Sequence, residues 1–479
     1  MPDKDLRKQA LKGGKTTSRK AEVRSAFSTP ASSRPTSARG SRVASRIASR
    51  DVSDDEDDRD ALSDDTTQSI NSLDAFLEND EFAESNMDAL KQDLNSTIDE
   101  MLERKGSSTE SREEALKRYN RILTSHHFGD VLYGRVDDIL ASLSKSIKAE
   151  TSTTETVRAL RAVSLTAVSF DNGALYDTMG TLVKRTIEDS QDNATKAAAL
   201  HCLGICLIFG GASESEFAET CTWLLEIVQS DGAFIGADDN PEVVAAALQT
   251  YGYLVTELED VEAESEDAVE AFMEQLDSGD AGVQIAAGEA IAVLFEKSCT
   301  PREDDEDWVG EEADEEDSDG SGMVDKHLVK RYNAYHNPAE VLDKVQDLAN
   351  LSSKGLNKSD KQKLHRSFAS IALTVEEPRG GLRANNASKL VVRIAKEGEI
   401  KVDKWWKLMR LNALRRVLAG GFIQHYFEGN KQVLNSLPLL VRSTRTGGTF
   451  SPGRGSRRTP PRKGDKHREN RRFVGAEEG

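Results

Sequence analysis

Gly14-Lys15-Thr16 has the ending of a phosphate-binding loop. That loop also needs a glycine five positions before its second glycine, where this chain has Gln9, and no strand precedes it. Cys202 and Cys206 stand four apart on one helix face, with His201 beside them. A metal site needs two further ligands, and Cys221 could supply only one. Cysteines in an apolar helix read instead as small core residues. His126-His127 has no acidic or cysteine neighbour in the sequence. Carboxylates are abundant, but they cluster away from the apolar positions whose burial would shift a pKa. No dinucleotide glycine fingerprint and no nucleophile elbow is present. The expectation is therefore no catalytic residue, no cofactor, no metal and no small-molecule substrate.

The chemistry that remains is cationic. On a helix following Asp403, Lys404, Lys407 and Arg415 fall within one sector, with Arg410 and Arg416 on its flanks. The C-terminal tail adds Arg457, Arg458, Arg462, Lys463, Arg471 and Arg472. Arginine neutralises phosphate and stacks on exposed bases, and flexible basic arms often order only on RNA. These eleven residues are the candidate RNA-binding set. The helix cations read equally well as an ordinary wet face, and the tail equally well as a nuclear import signal. Trp405 and Trp406 could stack on bases, although they fit better as core anchors.

Charge is segregated along the 479 residues. Residues 1–50 hold 13 Lys/Arg against 3 Asp/Glu, and residues 442–479 hold 11 against 4. With a net charge of −20 for the whole chain, residues 51–441 carry −37. Acidic ligands thus meet two basic arms, while the body repels them. The charged fraction of 30%, the apolar fraction of 37% and a mean hydropathy of −0.55 suit a long helical core plus disordered segments. Met1–Lys20 lacks the apolar core of a signal peptide, and the longest apolar run, near Cys202–Phe209, is too short for a bilayer. The four cysteines are then expected as reduced thiols in the cytosol or nucleus.

The elements follow from periodicity. Residues 1–66 read as a disordered Ser/Arg arm ending in the acidic run Asp54–Asp58. Residues 67–377 read as helical repeats. Apolar stripes run through Leu132–Ile147, Phe217–Val228, Val244–Leu258 and Val283–Leu294. Capping boxes are expected at Ser111-x-x-Glu114, Ser152-x-x-Glu155 and Ser213-x-x-Glu216, and stops at Gly210-Gly211 and Gly232. Helix pairs near 154–189, 193–230 and 240–277 recur with a period of roughly 40–47 residues, the range of HEAT and armadillo repeats. Asn193–Phe209 is apolar almost all round, which places it between neighbours.

An acidic loop at 301–325 around Trp308 interrupts the series, and helices resume at Asn337-Pro338 and Ser359-x-x-Gln362. The second of these should bury Leu364, Phe368, Ile371 and Val375. Residues 387–436 read as a small C-terminal domain. It opens with a hairpin of Leu390–Val392 and Ile400–Val402, the only β-structure expected, and continues as a helix capped by Asp403 and ended by Gly420-Gly421. Residues 442–479 read as a disordered basic tail.

Three stretches carry a resemblance. They are Gly14-Lys15-Thr16-Thr17-Ser18-Arg19-Lys20, the buried helix Lys196–Cys206, and Arg410–Tyr426. In that order they resemble the interferon-related developmental regulator family, over most of residues 70–436. The acidic insert at 303–319 and the Arg/Pro-rich tail depart from its pattern. The resemblance implies an all-α, armadillo-like solenoid with no catalytic activity. It further implies a transcriptional co-regulator, or a factor that occupies inactive ribosomes.

The leading expectation is a ribosome- and RNA-binding scaffold that modulates translation through its basic ends and C-terminal helix. The alternative is a nuclear co-regulator whose solenoid face binds peptides of regulatory protein complexes. Ser28, Thr29-Pro30, Ser451-Pro452 and Thr459-Pro460 would serve as phosphorylation switches. Either reading gives a cytoplasmic or nuclear location, without a membrane partner.

Overall fold

The computed structural model describes residues 80–302, 328–350, 358–382, 390–393, 398–437 and 440–441. The expected Ser/Arg arm, the acidic loop with Trp308 and the basic tail lie outside them. The helices are α1 (Asp80–Leu102), α2 (Thr109–Ser125), the short α3 (Gly129–Leu132), α4 (Val136–Ala149), α5 (Thr153–Ser169) and α6 (Leu175–Asp189). They continue as α7 (Asn193–Phe209), α8 (Glu214–Gln229), α9 (Pro241–Val255), α10 (Glu262–Gln275), α11 (Ala281–Lys297), α12 (Pro338–Asn350) and α13 (Lys358–Glu376).

Alternate helices make two layers. In the first, α2, α5, α7, α9, α11 and α13 pack in succession. The second holds α1, α4, α6, α8 and α10, each backing a helix of the first, with α12 backing α13. This is the repeat predicted from 154–189, 193–230 and 240–277, and the arrangement is solenoid-like. The inner first-layer helices α7, α9 and α11 are covered on nearly every side, which is why their sequences are apolar almost all round. In α7, Ala199, Leu200, Leu203, Ile205 and Cys206 are all buried. Each fully buried Leu or Ile contributes about 1.5–3 kcal/mol by leaving water.

Local signals explain the ends, with corrections. Asp192 accepts the Thr195 N–H (2.8 Å) to start α7. The helix stops at Gly210-Gly211, where Gly211 adopts φ +83° and a Cβ would lie 2.2 Å from the Gly173 carbonyl. Of the three expected capping boxes only Ser213/Glu216 forms, its carboxylate taking the Ser213 N–H (2.7 Å). The cap of α2 is Ser108, three residues before Ser111. Ser152 does precede α5, but its hydroxyl donates to Glu113 and Glu155 turns to arginines instead. Ser359 lies inside the first turn of α13 rather than before it. The stripe expected from Leu132 to Ile147 is broken between α3 and α4 by a turn in which Gly134 has φ +74°.

β1 (Cys299–Pro301) and β2 (Leu328–Lys330) pair antiparallel and pin the two ends of the acidic insert. β3 (Leu390–Arg393) and β4 (Gly398–Val402) form the expected hairpin, with Leu390 opposite Val402. A third strand, β5 (Leu440–Val441), adds to β4. The expectation of a single hairpin was therefore too small. It missed strands of two or three residues that carry no periodic signal.

The remaining helices are α14 (Trp405–Leu418), α15 (Phe422–Phe427) and α16 (Lys431–Ser436). The segment 398–437 lies on the first layer, where α14 touches α2, α5, α9 and α11. Trp405, Leu411, Leu414, Leu418, Phe422 and Val433 share one apolar cluster with the repeats.

Candidate nucleic-acid interface

Helix α14 begins at Trp405, with Lys404 rather than Asp403 at the cap position. Its first two N–H groups are taken by Glu296 of α11, which accepts from Trp405 (2.9 Å) and Trp406 (3.0 Å). A carboxylate reaching from another element thus does the work expected of a local cap, and a negative charge there suits the helix N-terminus. Burial raises the Glu296 carboxyl to about 7. Trp405 is buried, and its indole N–H donates to Thr374 of α13 (2.7 Å). It is a core anchor. Trp406 is half-buried, with the Lys407 ammonium 5.5 Å and the Arg410 guanidinium 5.0 Å from its ring.

The cations predicted on this helix are drawn into the protein rather than fanned outward. Lys407 pairs with Asp403 (2.7 Å). Arg410 pairs with Glu257 (2.7 Å), donates to the Thr256 carbonyl (3.1 Å) and reaches the Ser436 carbonyl (3.3 Å). Arg416 donates to Gln249 (2.7 Å), and burial lowers it to about 10, with Glu289 acting against the shift. Lys404 and Arg415 are half-buried. Sector analysis on a lone helix could not see that α9 and α11 lie under it. The six tail cations, Arg457, Arg458, Arg462, Lys463, Arg471 and Arg472, lie outside the described residues.

One basic edge escaped the sequence reading. Arg161 of α5 donates both to Thr124 of α2 (3.3 Å) and to the Val417 carbonyl at the end of α14 (3.2 Å). Exposed Arg121 sits one helical turn before Thr124. Arg161 of α5 thus reaches the C-terminal end of α14, with Arg121 exposed on the neighbouring α2. No signal could have linked Arg161 to Val417, 256 residues away.

The histidines also find partners that the sequence hides. His126 Nδ1 lies 2.7 Å from Glu428, which also accepts the His127 N–H. His425 is buried, and its Nε2–H donates to the Leu123 carbonyl (3.0 Å). Its Nδ1 accepts from Asn430 (2.9 Å), whose amide also donates to the Val168 carbonyl (3.0 Å). Burial lowers His425 to about 4, so it is neutral at physiological pH. This network fastens α15 and α16 to α2 and α5. It is a structural clasp, with every hydrogen bond between groups of the chain.

Cys202 and Cys206 are buried with sulfurs 3.8 Å apart, and the Cys206 thiol is pushed well up by its contact with Cys202 and by burial. Among the described residues no group of three His, Cys, Asp or Glu could hold a metal ion, and no helix is long and apolar enough to cross a membrane. A polar groove of about 420 Å³ opens between α6 and α8, lined by Asp177, Lys184, Arg185, Glu188 and Glu216. Its mixed charges show no preference for an anion.

The family model for interferon-related developmental regulators matches residues 57–376. An uncharacterized protein of Schizosaccharomyces pombe is 29% identical over 340 residues, covering 70% of this chain and 72% of its own length. The matched region takes in the described repeats up to the last turn of α13, so the likeness rests on the helical array itself. The chain belongs to the interferon-related developmental regulator family.

Proposed function

We propose that this protein is a non-enzymatic regulator of gene expression that docks on ribosomes and modulates translation, its basic ends contacting rRNA. The observation that carries the reading is charge segregation. The first 50 residues hold 13 Lys/Arg and the last 38 hold 11, whereas no Lys or Arg occurs between Lys196 and Lys297. A rigid array with an acidic flank and basic extremities favours nucleic acid at its ends and repels it elsewhere. Because Lys407, Arg410 and Arg416 are engaged within the protein, RNA contact falls chiefly to the tail cations, to the N-terminal arm and to the edge with Arg121 and Arg161.

The co-regulator alternative needs a free first-layer face for peptides. Residues 398–437 of the same chain cover that face over α2, α5, α9 and α11. This weighs against it.

The test is co-sedimentation of the tagged full-length protein with ribosomes through a sucrose cushion. Pelleting should fall steeply with salt, since six to ten phosphate contacts cost roughly 10³–10⁵ in affinity between about 50 and 200 mM. Deleting residues 1–50 and 442–479 should abolish it. Protein that stays wholly in the supernatant at low salt would overturn the reading.

A further inference from the structure

The connection between α8 and α9 is out of proportion to the rest of the array. It spans residues 230–240, eleven positions, against three to six for every other connection from α4 to α11. A longer link is ordinarily slack, and this one is not. Nine of the ten N–H groups from Asp231 to Asn240 donate within the loop or to the last turn of α8. Ala237 donates to the Gly232 carbonyl (3.0 Å), and Asp239 to that of Asp231 (2.9 Å). Four positions take left-handed backbone angles: Asp231 (φ +50°), Gly232 (+83°), Gly236 (+68°) and Asp239 (+50°). The two aspartates are strained there, so their surroundings must hold them.

The array does so from below. The Lys196 ammonium of α7, only 1% exposed, donates to the Ile235 carbonyl and to those of Ile187 (2.9 Å) and Glu188 (3.2 Å). Gln275 of α10 donates to the Val228 carbonyl (3.1 Å) and to the Asp231 carboxylate. Ile235 and Ala237 are buried beside these anchors. Taking an ammonium out of water is costly, and here it is spent on fixing a loop.

What the fixed loop displays is Phe234. Ile235 turns inward from a 3-10 turn, and its neighbour Phe234 is left 51% exposed. Tyr133, another exposed aromatic, has the Phe170 ring 6.3 Å away, whereas no ring lies beside Phe234 among the described residues. Single exposed apolar side chains are ordinary. A phenylalanine on a preorganised loop differs, because docking it costs little further chain entropy. Around it, Asp238, Asp239 and Glu242 are exposed and form no ion pair among the described residues. The sequence has no Lys or Arg from Lys196 to Lys297 to offset them. That rim repels nucleic acid and suits a basic protein.

We propose that the α8–α9 loop docks on a protein component of the ribosome, with Phe234 entering an apolar pocket whose basic rim meets Asp238, Asp239 and Glu242. The inference rests on the ribosome reading above and assigns the acidic flank its own partner. Proteins seated on rRNA neutralise phosphate with Lys and Arg, so their exposed margins carry the complementary charge. The basic ends then hold RNA while the loop holds protein.

Two measurements with purified ribosomes test this on the full-length protein. In the first, co-sedimentation gives the Kd across a salt series. Phe234→Ala should weaken binding by roughly 30-fold, the size of an interface hot spot. The slope of log affinity against log salt should stay unchanged, because no phosphate contact is lost, whereas deleting residues 442–479 should flatten it. Phe234 is at the surface, and an unchanged melting temperature verifies the fold of the variant. In the second, Phe234→p-benzoylphenylalanine is irradiated on the ribosome. The cross-link should resist ribonuclease and map to a ribosomal protein; should Phe234→Ala misfold, this cross-link decides. Equal affinity of a folded Phe234→Ala, a cross-link to rRNA, or no cross-link by a chain that pellets normally would overturn the docking proposal alone. A natural chain left in the supernatant at low salt would overturn it together with the ribosome reading.

Discussion

Replacing Trp405 by Ala probes whether α14 is a structural member of the array or an arm resting on it. Trp405 is 1% exposed and its indole N–H is bonded to Thr374. Trp→Ala at such a site costs about 3–5 kcal/mol, because transfer energy is lost and the cavity collapses only in part. The lost hydrogen bond adds little, since the Thr374 hydroxyl keeps the Ser370 and Gly381 carbonyls as acceptors. Trp406, half-buried between Lys407 and Arg410, should cost only about 1–2 kcal/mol, roughly two cation–π contacts. The assay is urea unfolding followed at 222 nm, with hydrogen exchange read over residues 405–418 and over α9 and α11. Trp405→Ala should raise exchange in all three helices by roughly 10²-fold or more, at about 1.4 kcal/mol per decade. A loss below about 1 kcal/mol, or a loss equal to that of Trp406→Ala, would refute the view that the segment completes the core.

Burial raises Glu296 from 4.5 to about 7, so the folded protein keeps a proton that the unfolded chain releases. The contribution of this group to stability should therefore fall as pH rises from about 4.5 to about 7, by roughly 3 kcal/mol, and level off above. Urea midpoints across that window should show the fall in the natural protein and a flatter course in Glu296→Gln. Glu155→Ala should cost about 3–5 kcal/mol by unfolding measurements, because it strands Arg112, which binds both carboxylate oxygens (2.8 and 2.9 Å), and Arg104 beside it. Gly421→Ala should cost about 1–3 kcal/mol in the same assay, since a Cβ there would lie 1.9 Å from the Thr124 carbonyl and the backbone must shift. Trp405 stands at the opposite end of α14, against α13, so the costs of Gly421→Ala and Trp405→Ala should add when the two are combined.

What the sequence determined by itself was the repeat. Apolar residues at helical spacing, Gly210-Gly211 and Gly232 at helix ends, Pro338 at a first turn and the all-round apolar α7 are local signals, and a solenoid is assembled from local units. The hairpin of β3 and β4 was legible for the same reason, from two short apolar runs around a turn. Charge segregation likewise needed only the order of residues.

Tertiary structure alone decided the rest, because the deciding contacts join residues far apart in the chain. Glu296 caps a helix that starts 109 residues later, and Arg416 spends its charge on Gln249, 167 residues away. His126 meets Glu428 across 302 residues. A cation on a lone helix and a cation laid on another layer have the same sequence. The energy that separates them, desolvation against a specific partner, exists only once the layers are packed.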